Sequence, residues 1–168
     1  MSSDLLAHAS GLFALLLNVT ALCCRCEIAL RRQSVVAGCL WAVNNLLIGA
    51  HSAAALSAVS AGRSATSAAT LAGGPVRRRN LCALFLLITA GVALLCWQGV
   101  LSAVTLVASL ASTWAMFHFR GAALRVTMLV TSIAWMASAV AFGSWEQMAA
   151  NLLTAASAGY GALRCRRR

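Results

Sequence analysis

The chain has 168 residues, of which 61% are hydrophobic and 10% are charged, and its mean hydropathy is +0.85. A soluble domain of this length is about half apolar and a quarter charged, so the composition excludes a disordered chain, a collagen-like fibre and an ordinary water-soluble enzyme. The net charge is +10, and all 13 basic residues are arginines. An all-α integral membrane protein is the class that remains.

Seven apolar segments follow one another along the chain. At about 20 residues per crossing of the hydrocarbon core, they predict seven transmembrane helices. The predicted spans are 5–24, 33–50, 52–74, a fourth span within 75–98, 100–119, 124–142 and 147–163.

The third span has the weakest hydropathy, since it is mostly Ala, Ser, Gly and Thr and contains Arg63. A central arginine costs about 2.5–3.5 kcal/mol on membrane insertion. Without this span, however, the arginines at 77–79 would lie on the opposite side of the membrane from those at 25–32. We therefore expect the segment to span, held by its neighbours rather than by its own hydrophobicity.

The arginines indicate the orientation of the chain. With seven spans, all 13 lie on one side of the membrane, which the positive-inside rule identifies as the cytoplasm. The N-terminus is then outside and the C-terminus inside. Because apolar spans separate the arginines, they favour membrane topology over nucleic-acid binding. The arginine-bearing segments are 25–32, 63–79, 120–125 and 164–168.

An offset of 94 residues aligns the chain with itself. It places Arg31 on Arg125 and Trp41 on Trp135, and it superimposes spans one to three on spans five to seven. Two copies of a three-helix unit lie parallel in a membrane only if one extra helix joins them. The sequence thus predicts a 3+1+3 architecture: a first repeat at 1–74, a linker with the fourth span at 75–98, and a second repeat with a basic tail at 99–168.

The third helix of each predicted repeat is rich in small residues at helical spacing. Small residues let helix backbones approach closely in lipid, so we expect these two helices to face protein more than lipid. The residues are Ala53, Ser57 and Ala61 in the first repeat and Ala155, Gly159 and Gly161 in the second.

Two stretches carry a resemblance to a known family. The 3+1+3 layout resembles the SWEET and PQ-loop superfamily. The run Ser-Thr-Trp-Ala-Met-Phe at 112–117, followed by Arg120, Gly121 and Arg125, is similar to a signature of the YgjV-type bacterial inner-membrane proteins. So is Leu-Ile-Gly-Ala at 47–50, with Arg63 fourteen residues after the glycine. The resemblance implies a bacterial inner-membrane location and this helical fold, and it carries function only by analogy.

The chain departs from that family pattern at three polar positions. The pattern has His in place of Asn44 and Ser138, and Asn in place of Ser60. None of the three residues present here titrates near neutral pH, which disfavours a proton relay through them. The proline-glutamine pair of PQ-loop proteins is also missing, because the single proline is Pro75.

Arg63 is the first candidate site residue. Helical rise places its Cα about 17 Å into a core about 30 Å thick. It either bridges helices or snorkels to the inner face, or it lines a central cavity, where it would bind an anionic or polar solute or close an inner gate. No acidic residue lies within a span, so its partners are amides, hydroxyls, carbonyls or a ligand.

Asn44 and Ser138 form the second candidate site, because the repeat offset aligns them. Paired polar residues around a pseudo-twofold axis are where transporters of this kind place substrate. Trp41 and Trp135 lie one helical turn away from them. The alternatives are that the amides join helices and that the indoles pack or anchor the interface.

Together these patterns favour a small-solute transporter or facilitator with a polar site between the repeats, acting on a small polar solute. The alternative is a non-transporting structural, partner-binding or lipid-binding membrane protein. No catalytic constellation is present, and the C-x-x-C spacing at 23–26 lacks a second ligand pair. We therefore expect no enzymatic activity, no metal and no cofactor. The lipid bilayer is the expected partner, and a homo-oligomer stays open.

Overall fold

The computed structural model describes residues 3–24, 26–47, 49, 51–71, 73–97, 99–141 and 145–166. Over these residues the chain forms seven α-helices and no strand, which confirms the all-α class. Each helix has 19 to 22 residues, and this corresponds to about 30 Å at 1.5 Å per residue. The helices are α1 (Ser3–Cys23), α2 (Glu27–Leu47), α3 (His51–Ala69), α4 (Pro75–Leu95), α5 (Val100–His118), α6 (Gly121–Ala141) and α7 (Trp145–Arg166).

Contacts between the helices close a ring. Each helix packs against the next one in the chain, and α7 packs back against α1. Helices α3 and α5 also contact each other, which leaves α4 on the outside of the ring. The first helix of each predicted repeat therefore touches the third helix of the other: α1 contacts α7, and α5 contacts α3.

Proline and glycine set several helix ends. Pro75 is the first residue of α4, directly after Gly74, where its missing N–H costs no helical hydrogen bond. Gly49, between α2 and α3, has a φ of +77°, and Gly121, at the start of α6, has a φ of +58°. Residues with a Cβ rarely adopt this left-handed conformation, so glycine makes both tight connections possible.

Two helices begin earlier than the apolar segments in the sequence. Helix α2 begins at Glu27 and α6 at Gly121, whereas the predicted spans begin at residues 33 and 124. The additional turns of α2 contain Arg31, and Arg125 lies at the start of the predicted sixth span; the two side chains are 1% and 0% exposed. Hydropathy locates the apolar part of a helix but not its full length, because it treats a buried, partnered arginine as a solvated one.

The molecule has an apolar exterior and a partly polar interior. Large apolar side chains such as Phe13, Leu87 and Val107 are more than 60% exposed, whereas Arg63 and Thr113 are buried. Within the described residues, one helix meets a length and hydropathy criterion for a membrane span, namely α4, with a mean hydropathy of 1.6 over 18 residues. Shorter apolar stretches lie in α1 and α6.

Candidate functional site

A cavity of about 240 Å³ lies between the helices, and residues from all seven helices line it. Four of the five predicted site residues are among them: Trp41, Asn44, Arg63 and Trp135. The fifth, Ser138, lies in α6, but its side chain is outside the part of the chain that the structure describes. Predicted site residues from three different helices thus surround one space.

The cavity lining is rich in polar groups, and among the residues that the structure describes it contains a single charged side chain, that of Arg63. No carboxylate belongs to the lining residues that the structure describes. Amides and hydroxyls both donate and accept hydrogen bonds, so they suit a polar solute. The polar lining residues besides Arg63 are Asn18, Asn44, Asn45, Gln147, Asn151, Ser57, Ser60, Thr89, Ser109, Ser112 and Thr154.

Arg63 is buried, at 8% exposure. Its Nη1 donates to the hydroxyls of Ser112 and Thr113, each at 2.8 Å, and to the carbonyl of Ser109 at 3.3 Å. Its Nη2 donates to the hydroxyl of Ser60 at 2.8 Å. Its Nε has no hydrogen-bond partner among the described residues. Hydroxyls and carbonyls are partner types that the sequence predicts for this arginine.

Helix α5 prepares these oxygens to accept from Arg63. The hydroxyls of Ser112 and Thr113 both donate to the carbonyl of Ser109, one turn earlier in the helix, at 2.9 and 2.7 Å. Because each hydroxyl proton is directed at the backbone, the oxygen lone pairs stay available for the guanidinium. Arg63 therefore joins α3 to α5 through the Ser-Thr pair of the 112–117 run.

Small residues bring the polar side chains of α2 and α3 together. A Cβ added at Gly38 of α2 would lie only 3.0 Å from the Cβ of Ala61 in α3, so the two backbones are in close contact. Near the other end of this contact, Asn45 Nδ2 donates to Ser57 Oγ at 3.2 Å. Asn44, one residue earlier, is 8% exposed and lies beside Gly11 of α1.

A second polar group, which we call the arginine cluster, consists of Glu27, Arg31 and Arg125. Glu27 Oε2 pairs with Arg31 Nη1 at 2.7 Å, and Glu27 Oε1 pairs with Arg125 Nη1 at 3.3 Å. The backbone N–H of Gly121 also donates to Glu27 Oε1, at 2.8 Å. In the sequence these two arginines mark the membrane side and the internal repeat, and neither pattern predicts their burial.

The contacts of the two arginines are reciprocal. Arg31 Nη2 donates to the carbonyl of Met116 near the end of α5, at 2.9 Å. Arg125 Nε donates to the carbonyl of Leu22 near the end of α1, at 3.2 Å. Arg31 and Arg125 are 94 residues apart, and so are Leu22 and Met116. We call α1–α3 and α5–α7 the two triplets. Each arginine therefore reaches from the second helix of one triplet to the first helix of the other, as two-fold related units would.

The electrostatics of Glu27 favour its charged form. Partial burial raises the pKa of this carboxyl, but hydrogen bonds from the Gly121 N–H, Arg31 and Arg125, together with the charge of Arg31, hold the pKa below its ordinary value. Glu27 is therefore ionised at neutral pH and compensates one of the two buried guanidinium charges.

The described residues contain no group of three His, Cys, Asp or Glu side chains that could hold a metal ion. The seven cysteines are free thiols. Between the two cysteines of the C-x-x-C spacing, Cys24 Sγ lies 3.8 Å from the amide oxygen Oε1 of Gln33. This contact does not supply a second pair of metal ligands.

Comparison with known proteins gives one match. The family model Imp-YgjV, described as a bacterial inner membrane protein, matches residues 5–168. No curated protein matches the chain, and no solved structure matches it. The match extends from α1 through the end of α7 and includes both the cavity and the arginine cluster. The chain therefore belongs to the YgjV family of bacterial inner membrane proteins.

Proposed function

We propose that this protein is a small-solute transporter or facilitator and that the central cavity is its solute site. The observation that carries the proposal is the convergence of Trp41, Asn44, Arg63 and Trp135 on one cavity of about 240 Å³. Since liquid water occupies about 30 Å³ per molecule, this volume accommodates about eight waters or a small organic solute. Solute-binding pockets combine apolar or aromatic surface with placed polar groups, and this lining offers both.

The proposal includes seven crossings in a 3+1+3 arrangement. Its support is the length of the helices, the apolar exterior, and the reciprocal contacts of residues 94 apart. In this arrangement the arginine cluster lies on the cytoplasmic side and joins the two triplets there, while the cavity lies between them. Rocking of one triplet against the other about this junction would alternately expose the cavity to each side of the membrane. No catalytic step is part of this function.

The proposed topology predicts that the two ends of the chain lie on opposite sides of the membrane. A fluorescent protein fused after Arg168 should fluoresce, because it folds in the cytoplasm. Alkaline phosphatase fused after residue 98 should be active, because this connection lies outside. Placement of both termini in one compartment would contradict an odd number of crossings and, with it, the parallel repeats.

The proposed function predicts solute entry into proteoliposomes that depends on Arg63. Liposomes are shrunk in a solution of erythritol, glucitol or potassium gluconate, and valinomycin is added with potassium gluconate. Liposomes that contain the protein should reswell faster than protein-free liposomes. Arg63→Ala should lower the rate towards that of protein-free liposomes, because it removes the one charged group among the described lining residues. Stopped-flow light scattering measures the rate.

The matched control is Arg32→Ala, since Arg32 is exposed and does not line the cavity. It should insert and conduct as the wild type does. If no solute of the panel enters faster than into protein-free liposomes, the transport proposal is wrong and a structural or lipid-binding role is favoured. If both variants lose flux equally, the cavity is not the route.

A further inference from the structure

The charge of Arg63 is not balanced by a carboxylate in the part of the chain that the structure describes. Its hydrogen bonds all go to neutral oxygens, three hydroxyls and one carbonyl. Glu27, the acidic side chain that the structure describes, pairs instead with Arg31 and Arg125. An uncompensated cation in a low-dielectric interior is costly, so an entering anion gains the interaction that the protein leaves unmade.

The hydrogen bonds of the Arg63 guanidinium are concentrated on one of its nitrogens, Nη1. Nη1 has three acceptors, on Ser109, Ser112 and Thr113, which orient the planar group. Nη2 donates to Ser60 alone, and Nε is buried without a partner among the described residues. Nη2 therefore has a second N–H, and a carboxylate in the cavity that Arg63 lines would accept a charge-assisted hydrogen bond from this guanidinium.

The rest of the lining fits the remainder of an organic solute rather than a second charge. Amide groups of Asn18, Asn45 and Asn151 offer donors and acceptors, and the indoles of Trp41 and Trp135 offer apolar surface. Since the described lining residues include one cation, a monoanion forms a neutral complex with them. A dianion would leave a net negative charge desolvated, and a neutral polyol would leave the arginine uncompensated.

We infer that the solute is a small organic monoanion, a monocarboxylate, whose carboxylate binds the guanidinium of Arg63. The hydroxyl or apolar part of the solute then lies among the amides and indoles of the lining. The inference depends on the proposed function for the transport of this solute, but its binding is measurable without transport.

The test is a binding titration of the purified full chain in detergent, followed by tryptophan fluorescence. Two matched series serve as probes: gluconate, glucitol and glucarate with six carbons, and glycerate, glycerol and tartronate with three. We expect saturable binding of gluconate or glycerate. The neutral and dianionic counterparts should bind at least about tenfold more weakly, the loss expected from one charge-assisted hydrogen bond.

Substitutions assign this preference to the cavity. Arg63→Gln should remove the preference for the monoanion, whereas Arg32→Gln, the same change at an exposed arginine, should retain it. Trp41→Phe or Trp135→Phe should reduce the fluorescence change, because both indoles line the cavity. If Arg63→Gln does not fold, the affinities of the wild type for gluconate and glucitol, and for glycerate and glycerol, still test whether the protein prefers a monoanion.

Four results would overturn the inference: equal affinity for the monoanion and its neutral counterpart, preference for the dianion, an unchanged preference in folded Arg63→Gln, and no saturable binding of either monocarboxylate.

Failure of this inference is separable from failure of the proposed function. Uptake of glucitol as fast as that of gluconate would contradict the recognition of an anion but not the transport of solutes. Selective binding of gluconate without uptake of any solute contradicts transport alone.

Discussion

Glu27→Gln is expected to destabilise the folded protein by about 3–5 kcal/mol, the usual effect of removing one partner of a buried ion pair. The carboxylate is shared by Arg31 and Arg125, whose side chains are 1% and 0% exposed. Glutamine keeps the size of the side chain but not its charge, so two buried guanidiniums lose their common counter-ion. Denaturant unfolding in mixed micelles, followed by the reactivity of the buried Cys82 thiol, measures the change.

Residues 31 and 32 provide a matched control for this prediction. Both are arginines on α2, but Arg31 is buried within the arginine cluster and Arg32 is exposed. Arg31→Gln should destabilise strongly, whereas Arg32→Gln should stay within about 0.5 kcal/mol of the wild type. Wild-type stability in Glu27→Gln would show that the carboxylate does not hold the two triplets together.

The effect of Glu27→Gln should also depend on pH. The pKa of Glu27 is lower in the folded protein than its ordinary value. Its contribution to stability is therefore fully present above the unfolded pKa, about 4.3, and is lost as the pH falls through the folded pKa. The stability difference between wild type and Glu27→Gln should shrink over that interval. A difference that is constant on acidification would contradict the assigned ionisation.

The sequence is sufficient to predict seven helices and the depth of Arg63 within the third. Six of the helices follow from local composition, whereas the third follows from the placement of the arginines. A charged side chain within an apolar segment must find polar partners, whatever the neighbouring helices are. The predicted environment of hydroxyls and carbonyls is observed, with Ser112 and Thr113 as the main acceptors. Helix connections at Gly49 and Gly121 likewise follow from a local requirement, the left-handed backbone.

The burial of Arg31 and Arg125 could not be predicted in this way. Arg31 differs from Arg32 locally in its spacing from Glu27, one helical turn earlier, but this spacing does not show that Arg31 is buried. Its partners near the end of α5 lie 85 and 88 residues away along the chain. The identity of those partners is a property of helix packing. The sequence contains one indication of this packing. Glu27 and Gly121 are 94 residues apart, which is the offset of the internal repeat, and the N–H of Gly121 donates a hydrogen bond to Glu27.

Gly161→Ala is expected to destabilise the protein by about 1–3 kcal/mol, the usual effect of overpacking a close contact. A Cβ at this position of α7 would overlap the backbone carbonyl oxygen of Leu22 and lie 3.0 Å from Cδ of Arg125. The same carbonyl accepts the hydrogen bond from Arg125 Nε, so relief of the overlap displaces the arginine as well. Thermal unfolding with a thiol-reactive dye measures the change.

Gly91→Ala in α4 is the matched control for this substitution. A Cβ at Gly91 would meet no atom within 4 Å, so alanine there should stabilise the helix by about 0.5–1 kcal/mol or leave it unchanged. The same chemical change is thus expected to have opposite signs in α4 and α7. Equal stability of the two variants would contradict the close approach of α7 to the end of α1. Loss of stability in Gly161→Ala alone would support that approach.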